Sequence, residues 1–418
     1  MTSPRAVVLV GGPAAPYSRA LRIATALAHE GYEVEIAAVA ATGLADVETG
    51  PTWTLRRYRP SGRWAAVSSS PPAPGPSGGP VRPVAWSRKV LGTLRRWILW
   101  PHTVRGWWAT LARELPPADL YHACGSLTVA PALQARRRSP TGPGGRRAFV
   151  IYDAIDDVFE SNNVLDMPRP VRAWHARRES RWARDADAVL TVNEPLAGRL
   201  SARWGLEVAV VPNYPEVPAD LPRDDRLRRE AGLAPGIHIA LFQGRTGPRL
   251  GLDEAAEAAL LVPDCALVIL GFGRGFERER ARDGEPRFAG RHVTLAARPP
   301  DELIAWTAGA DVAVVPLPPV SVNQRLSSPN KFWEAIAAGT PVVVGAGLEY
   351  MADLVRADDL GLVADSSSAA DLASAIERTL DRSRREPDWR AHIREVAARR
   401  YSWPIAEATY HAVVRRAP

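Results

Sequence analysis

Short apolar runs alternate with helix-forming segments along almost the whole 418-residue chain, and this alternation leaves few folds open to it. Ala6 to Val10, Val34 to Val39, Ile239 to Phe242 and Val312 to Val315 are runs of strand length, apolar enough to be buried on both faces. Strand, helix and strand follow one another repeatedly, which predicts α/β architecture built on parallel sheets.

The opening residues show the unit in its simplest form. Residues 6–10 read as a strand, Gly11-Gly12-Pro13 as a loop, and 18–30 as an amphipathic helix with Leu21, Ala24, Leu27 and Ala28 on one face. Gly31 ends that helix, and 34–39 form the next strand. Further strands are expected at 119–122, 148–153, 187–192 and 208–211, with a charged helix over 169–185. Pro212-Asn213-Tyr214-Pro215 then marks a boundary. The pattern restarts with strands at 239–242, 266–270, 293–295, 312–315 and 341–344, and with helices at 252–261, 301–309, 329–338 and 369–380. A last helix is expected over about 389–413. The expected organisation is a domain over 1–215, a second over 216–395, and a terminal helix within 396–418 that returns to the first.

The formal net charge is +7, almost all of it from arginine, since Lys89 and Lys331 are the only lysines. Such a surface suits phosphate-bearing substrates or an anionic membrane. The arginines are dispersed, without the basic-aromatic module of a nucleic-acid binder. Cys124 and Cys265 lie far apart and form neither a metal quartet nor a CxxC pair, so both are expected as buried small hydrophobes. No stretch of about 18 apolar residues appears, and the first apolar run reads as a strand rather than a signal segment. The expected location is the cytoplasm, with the inner face of the membrane as a peripheral site.

Residues 68–80 are rich in Ser, Pro and Gly, which predicts a flexible loop over about 60–85. Residues 84–113 interleave Trp86, Trp97, Trp100, Trp107 and Trp108 with Arg88, Lys89, Arg95, Arg96 and Arg105. Two readings stand: the Trp97–Trp108 region docks on a membrane surface, or its tryptophans pack on the sheet or line an acceptor site.

The most informative stretch is Ser328-Pro329-Asn330-Lys331-Phe332-Trp333-Glu334-Ala335-Ile336-Ala337-Ala338-Gly339-Thr340-Pro341-Val342-Val343. It reads as a helix capped by Ser328, with Pro329 in its first position and Gly339 at its end. A helix N-terminus attracts phosphate, and Lys331 adds a full charge there. Glu334 follows one turn later on the same face, where a carboxylate can accept two hydroxyls such as those of a ribose. Amide donors, cation and carboxylate together suit one nucleoside diphosphate.

This stretch resembles glycosyltransferase family 4, retaining enzymes of the GT-B fold, in its proline-lysine-x-x-glutamate helix and AAG-x-PVV turn. The resemblance implies two Rossmann-like domains facing a cleft, a C-terminal helix crossing back to the N-terminal domain, and Glu334 on the donor ribose. The family's first glutamate falls at Leu326 here, which leaves donor-sugar contacts to the loop from Val320 to Ser328, including Asn323. Phe242-Gln243-Gly244-Arg245 resembles the diphosphate loop, with Arg245 as one cation and Arg249 as the second after a one-residue shift. Leu270-Gly271-Phe272-Gly273 resembles the strand end that approaches the nucleotide, and Arg298 to Pro300 fall where main-chain atoms cradle the base. In the first half, Gly11-Gly12 resembles the turn near the donor phosphate. His122, Asp153 and Asp156 fall where the family faces the reacting sugars, with Glu160 behind. The donor-binding candidates are thus Gly11, Gly12, Arg245, Arg249, Gly273, Arg298, Asn323, Ser328, Pro329, Asn330, Lys331 and Glu334; the catalytic candidates are Asp153, Asp156 and His122.

The function implied is transfer of a hexose-type sugar from a UDP- or GDP-type donor to a glycan, lipid-linked or secondary-metabolite acceptor, with no cofactor and no metal. A nucleotide-sugar epimerase or hydrolase, and a non-catalytic membrane-associated scaffold, are the alternatives.

Overall fold

A computed structural model describes residues 3–14, 17–61 and 106–418. The loop expected over 60–85 and Trp86, Trp97 and Trp100 thus lie outside the described residues, apart from 60 and 61. The chain divides into two compact units, one of residues 1–211 with 409–418, the other of 212–408.

The first unit is built on β1 (Arg5–Val10), β2 (Glu33–Val39), β3 (Val47–Thr49), β4 (Trp53–Tyr58), β5 (Leu120–Cys124), β6 (Phe149–Asp153), β7 (Ala188–Thr191) and β8 (Ala209–Val210). They form one sheet in the order β3-β4-β2-β1-β5-β6-β7-β8. Its pairs are parallel except for β3 with β4, a short edge hairpin. The order reverses beside β1, the kind of place where open α/β sheets bind ligands outside their carboxyl ends. Val10 pairs with Cys124, and Cys124 with Asp153, so three strand ends lie level there.

The second unit carries β9 (His238–Arg245), β10 (Cys265–Phe272), β11 (His292–Ala296), β12 (Val312–Val315), β13 (Val342–Gly345) and β14 (Gly361–Ala364). Their order is β11-β10-β9-β12-β13-β14, all parallel, reversing at β9. Ala240, Phe242, Leu267, Ile269, Val312, Val314 and Val343 are buried in the core under the helices Leu252–Leu261 and Ala369–Arg385. Strands of this kind have no solvated face, which is why they read as unbroken apolar runs.

Several elements escaped the sequence reading. β4 has two adjacent arginines, Arg56 and Arg57, that blur its apolar pattern. The helix Val129–Arg138 carries small alanines and a run of three arginines, which leaves its apolar stripe weak. The terminal helix expected over 389–413 is two helices, Trp389–Arg400 and Trp403–Val414. Pro404 explains the break: it fits the first turn of a helix but cannot continue one. Trp107 is buried in the first unit's core and Trp108 packs against it. Trp108 Nε1 donates to the Leu127 carbonyl at 2.7 Å. These two tryptophans therefore follow the packing reading rather than the membrane one.

Candidate functional site

In the second unit the helix Asn330–Ala337 buries Phe332, Trp333, Ala335, Ile336 and Ala337. Burying Phe332, Trp333 and Ile336 stabilises it by roughly 1.5–3 kcal/mol each. Trp333 packs edge-on to Tyr214, with ring centroids 4.7 Å apart, and beside Tyr401 at 5.3 Å. That buried face fixes the rotation of the helix, so Lys331 and Glu334 share the partly exposed side. The start differs from the expected capping. Pro329 is the N-cap and makes no side-chain cap, and Ser328 lies one residue before it. Proline's fixed φ suits that extended position (φ −66°, ψ 139°). Asn330 is held instead by Asn213, whose Nδ2 donates to its Oδ1 at 2.5 Å.

Lys331 Nζ sits 3.3 Å from the centroid of the Phe242 ring on β9. Burial among protein atoms pulls its pKa down to about 7; Arg245 pushes the same way and Glu334 opposes. Arg245, at the end of β9, is exposed. It pairs in register with Phe272, and a Cβ on Gly273 would come within 2.8 Å of Arg245 Cγ. Gly273, at φ 102°, thereby lets the arginine lie across the end of β10. Glu334 Oε2 accepts a hydrogen bond from Gln243 Nε2 at 2.5 Å, and Gln243 Oε1 accepts from Thr307 Oγ1 at 2.6 Å. Lys331, Glu334 and Arg245 thus share one charged neighbourhood at the end of the strand where the sheet order reverses.

Other expected donor residues lie elsewhere in the unit. Arg249 is exposed at φ 63°, and its carbonyl accepts from Gln324 Nε2 at 3.3 Å. Asn323 lies in the short helix Val322–Arg325, capped by Ser321. Arg298 is committed to its own unit: Nη2 lies 2.7 Å from Glu230 Oε1, and the guanidinium stacks 4.1 Å from the Trp306 centroid.

In the first unit, Asp153 ends β6 with no exposed surface. Arg19, buried on the helix Ser18–His29, grips both of its oxygens, Nε to Oδ2 at 2.7 Å and Nη2 to Oδ1 at 2.8 Å. Arg19 Nη1 also donates to the Val211 carbonyl at 2.9 Å. His122 Nε2 lies 3.3 Å from Asp153 Oδ2, and its Nδ1 lies 3.1 Å from the Tyr410 hydroxyl. A carboxylate only accepts, so Nε2 carries the proton and Nδ1 accepts from Tyr410. Burial would raise the Asp153 carboxyl, but Arg19 and His122 outweigh it and hold it well below the usual carboxylate range. Burial in turn holds His122 below its ordinary value. Asp153 and His122 were expected to face reacting sugars. Both are buried, and Arg19 and His122 occupy the Asp153 oxygens. His122, Cys124 and Asp153 could hold a metal by distance, all within 4.8 Å, but the cation between those strand ends is Arg19.

Asp156 is exposed on the loop after β6, and Glu160 is partly buried in the turn Val158–Glu160. The neighbouring Asp157 is buried and held by Arg199 and Arg203. Gly11 and Gly12 follow β1; the Gly12 carbonyl accepts from Val39 N at 2.9 Å, and Arg57 Nε donates to the Pro13 carbonyl at 2.9 Å. Both cysteines are buried and unbridged.

The sequence reading missed Gln243, Thr307, Arg19 and Tyr410. Gln243 left a signal, an amide inside an apolar strand, since a buried amide needs partners. Arg19 left another, a cation one turn before Ile23 on the buried face of its helix.

Residues 237–382 match the family described as Glycosyl transferases group 1. D-inositol 3-phosphate glycosyltransferase of Acidothermus cellulolyticus is 31% identical over 258 residues, 57% of this chain and 54% of that protein. The enzyme of that name from Corynebacterium aurimucosum is 33% identical over 203 residues, 44% of each. The chain thus matches about half the length of these curated relatives. Sucrose-phosphate synthase from Thermosynechococcus elongatus has the same fold, with a TM-score of 0.67 at 19% identity over 99% of this chain and 98% of its own. Anabaena HepE, solved with UDP and glucose, gives 0.64 at 14% identity over 99% of this chain and 100% of its own. The architecture is the GT-B fold. Among the described residues no helix is long and apolar enough to cross a membrane.

Proposed function

We propose that this chain, a GT-B glycosyltransferase whose residues 237–382 match glycosyl transferases group 1, moves a hexose-type sugar from a UDP- or GDP-type donor to an acceptor and retains the anomeric configuration. The acceptor is a glycan, a lipid-linked sugar or a small molecule. One observation carries the reading: Lys331 and Glu334 share the partly exposed side of a helix that starts at Pro329, next to Arg245 at the strand end where the sheet order reverses.

In this reading the unit 212–408 binds the nucleotide sugar and the unit 1–211 binds the acceptor. Glu334 takes the ribose hydroxyls. Arg245, Lys331 and the first amides of Asn330–Ala337 take the diphosphate. The bond from the anomeric carbon to the β-phosphate oxygen breaks, and its electron pair leaves with the diphosphate. The acceptor oxygen forms the new bond on the same face, and its proton passes to the departing phosphate. The growing negative charge meets cations already in place, so the reading calls for no metal. Asp156, exposed beyond β6, is the carboxylate left to orient the acceptor once Asp153 is committed to Arg19.

The test is to incubate the protein with nucleotide sugars, with and without acceptors, and follow nucleoside diphosphate release and product anomer by NMR. Release that needs an acceptor, with a retained anomer, is expected. Equal release without acceptor would make the protein a hydrolase, and an epimerised donor would make it an epimerase.

A further inference from the structure

We propose that Gln243 is a positioning residue that sets the plane of the Glu334 carboxylate and so fixes how tightly the protein holds a ribose. This rests on the reading of Glu334 given above and adds to it a residue with no expected contact to the donor.

A glutamate on a helix turns easily about its last torsion, whose energy profile is broad. A carboxylate that must meet two neighbouring hydroxyls works only in one plane. Gln243 removes that freedom. It is buried in β9 and donates from Nε2 to Glu334 Oε2 at 2.5 Å. A neutral amide pins the carboxylate without cancelling its charge, as an arginine there would.

The amide could turn end for end, which would set its own oxygen against the carboxylate. The carboxylate itself opposes this, because it only accepts, and Thr307 holds the far end of the amide. The Thr307 hydroxyl lies 2.6 Å from Gln243 Oε1 and 2.7 Å from the Leu303 carbonyl, and it shares its one proton between them. Thr307 is fixed in turn, since Thr340 Oγ1 donates to its carbonyl at 3.0 Å and Arg390 Nη2 donates to Thr340 Oγ1 at 3.0 Å. Gln243 and Thr307 are both buried, so the chain of hydrogen bonds runs where each is strengthened by low polarity.

The measurement is the ratio of affinities for a ribonucleoside diphosphate and its 2′,3′-dideoxy counterpart, by calorimetric titration with UDP, GDP and ADP. Glu334→Ala should collapse that ratio to near one. Gln243→Leu should lower it about tenfold, since a hydrogen bond to a charged group is lost, while leaving affinity for the dideoxy compound within about twofold. Damage to packing alone would weaken both ligands equally. Thr307→Val, which removes only a hydroxyl, should lower the ratio by a smaller factor and decides the matter if Gln243→Leu does not fold. A full ratio in Gln243→Leu or, failing that, in Thr307→Val, beside a collapsed ratio in Glu334→Ala, would overturn the role of Gln243 and leave the ribose reading standing. An unchanged ratio in Glu334→Ala, or no binding by the unaltered protein, would overturn both.

Discussion

Lys331 Nζ lies 3.3 Å from the centre of the Phe242 ring on β9. Burial brings its pKa to about 7, with Arg245 adding to the effect. A bound diphosphate favours the ammonium form, so the pKa must rise in the complex. Affinity for a nucleotide sugar should therefore be level below pH 7 and fall above it, by up to about tenfold per pH unit, until the bound-state pKa is reached. Calorimetry at pH 8 in buffers of different ionisation heat should show proton uptake. Lys331→Arg, which stays charged, should remove both effects.

Arg245 is exposed, so the part proposed for it in holding the diphosphate is open to screening. Arg245→Ala should weaken nucleoside diphosphate binding by about tenfold at low salt and by less at high salt. Transfer should persist in excess EDTA, because the cations are side chains. A rate that collapses with EDTA and returns with magnesium would oppose this.

The Arg19–Asp153 pair is buried on both sides. Removing one partner strands a charge, so Arg19→Met should cost about 3–5 kcal/mol in urea unfolding. Arg19→Met with Asp153→Leu should recover much of that loss, because the stranded charge goes too. A single variant as stable as the parent would contradict the buried geometry.

Gly339 closes the helix Asn330–Ala337 at φ 67°, with its N–H on the Ile336 carbonyl at 3.0 Å and the Thr340 N–H on Ala335 at 2.9 Å. A Cβ there would meet the Arg390 carbonyl at 2.7 Å. Gly339→Ala should destabilise the protein by about 1–2 kcal/mol from the left-handed backbone alone, with the clash adding to it. Thermal unfolding measures this directly.

The strands of the second unit were legible because they are buried on both faces and keep their apolar runs unbroken, as in Ile239 to Phe242. The helix carrying Lys331 and Glu334 was legible because proline and glycine bracket it. The hydrogen-bond partners were not. Nothing local links Gln243 to Glu334, 91 positions on, or Arg19 to Asp153, 134 positions on. The Arg19 contacts of Asp153 were hidden for a related reason: a carboxylate at a strand end looks the same in sequence whether or not an arginine is buried beside it. Sequence spacing places such a group on the fold, and only packing decides which it meets.

The central claim is that Lys331 and Glu334 together grip a nucleoside diphosphate, and the titration of UDP and GDP into the Lys331→Ala, Glu334→Ala double variant tests it most directly. Two charge-assisted contacts are worth about 3 kcal/mol or more, so the folded double variant should bind at least about 100-fold more weakly than the parent. A folded double variant with the parent's affinity would contradict the account.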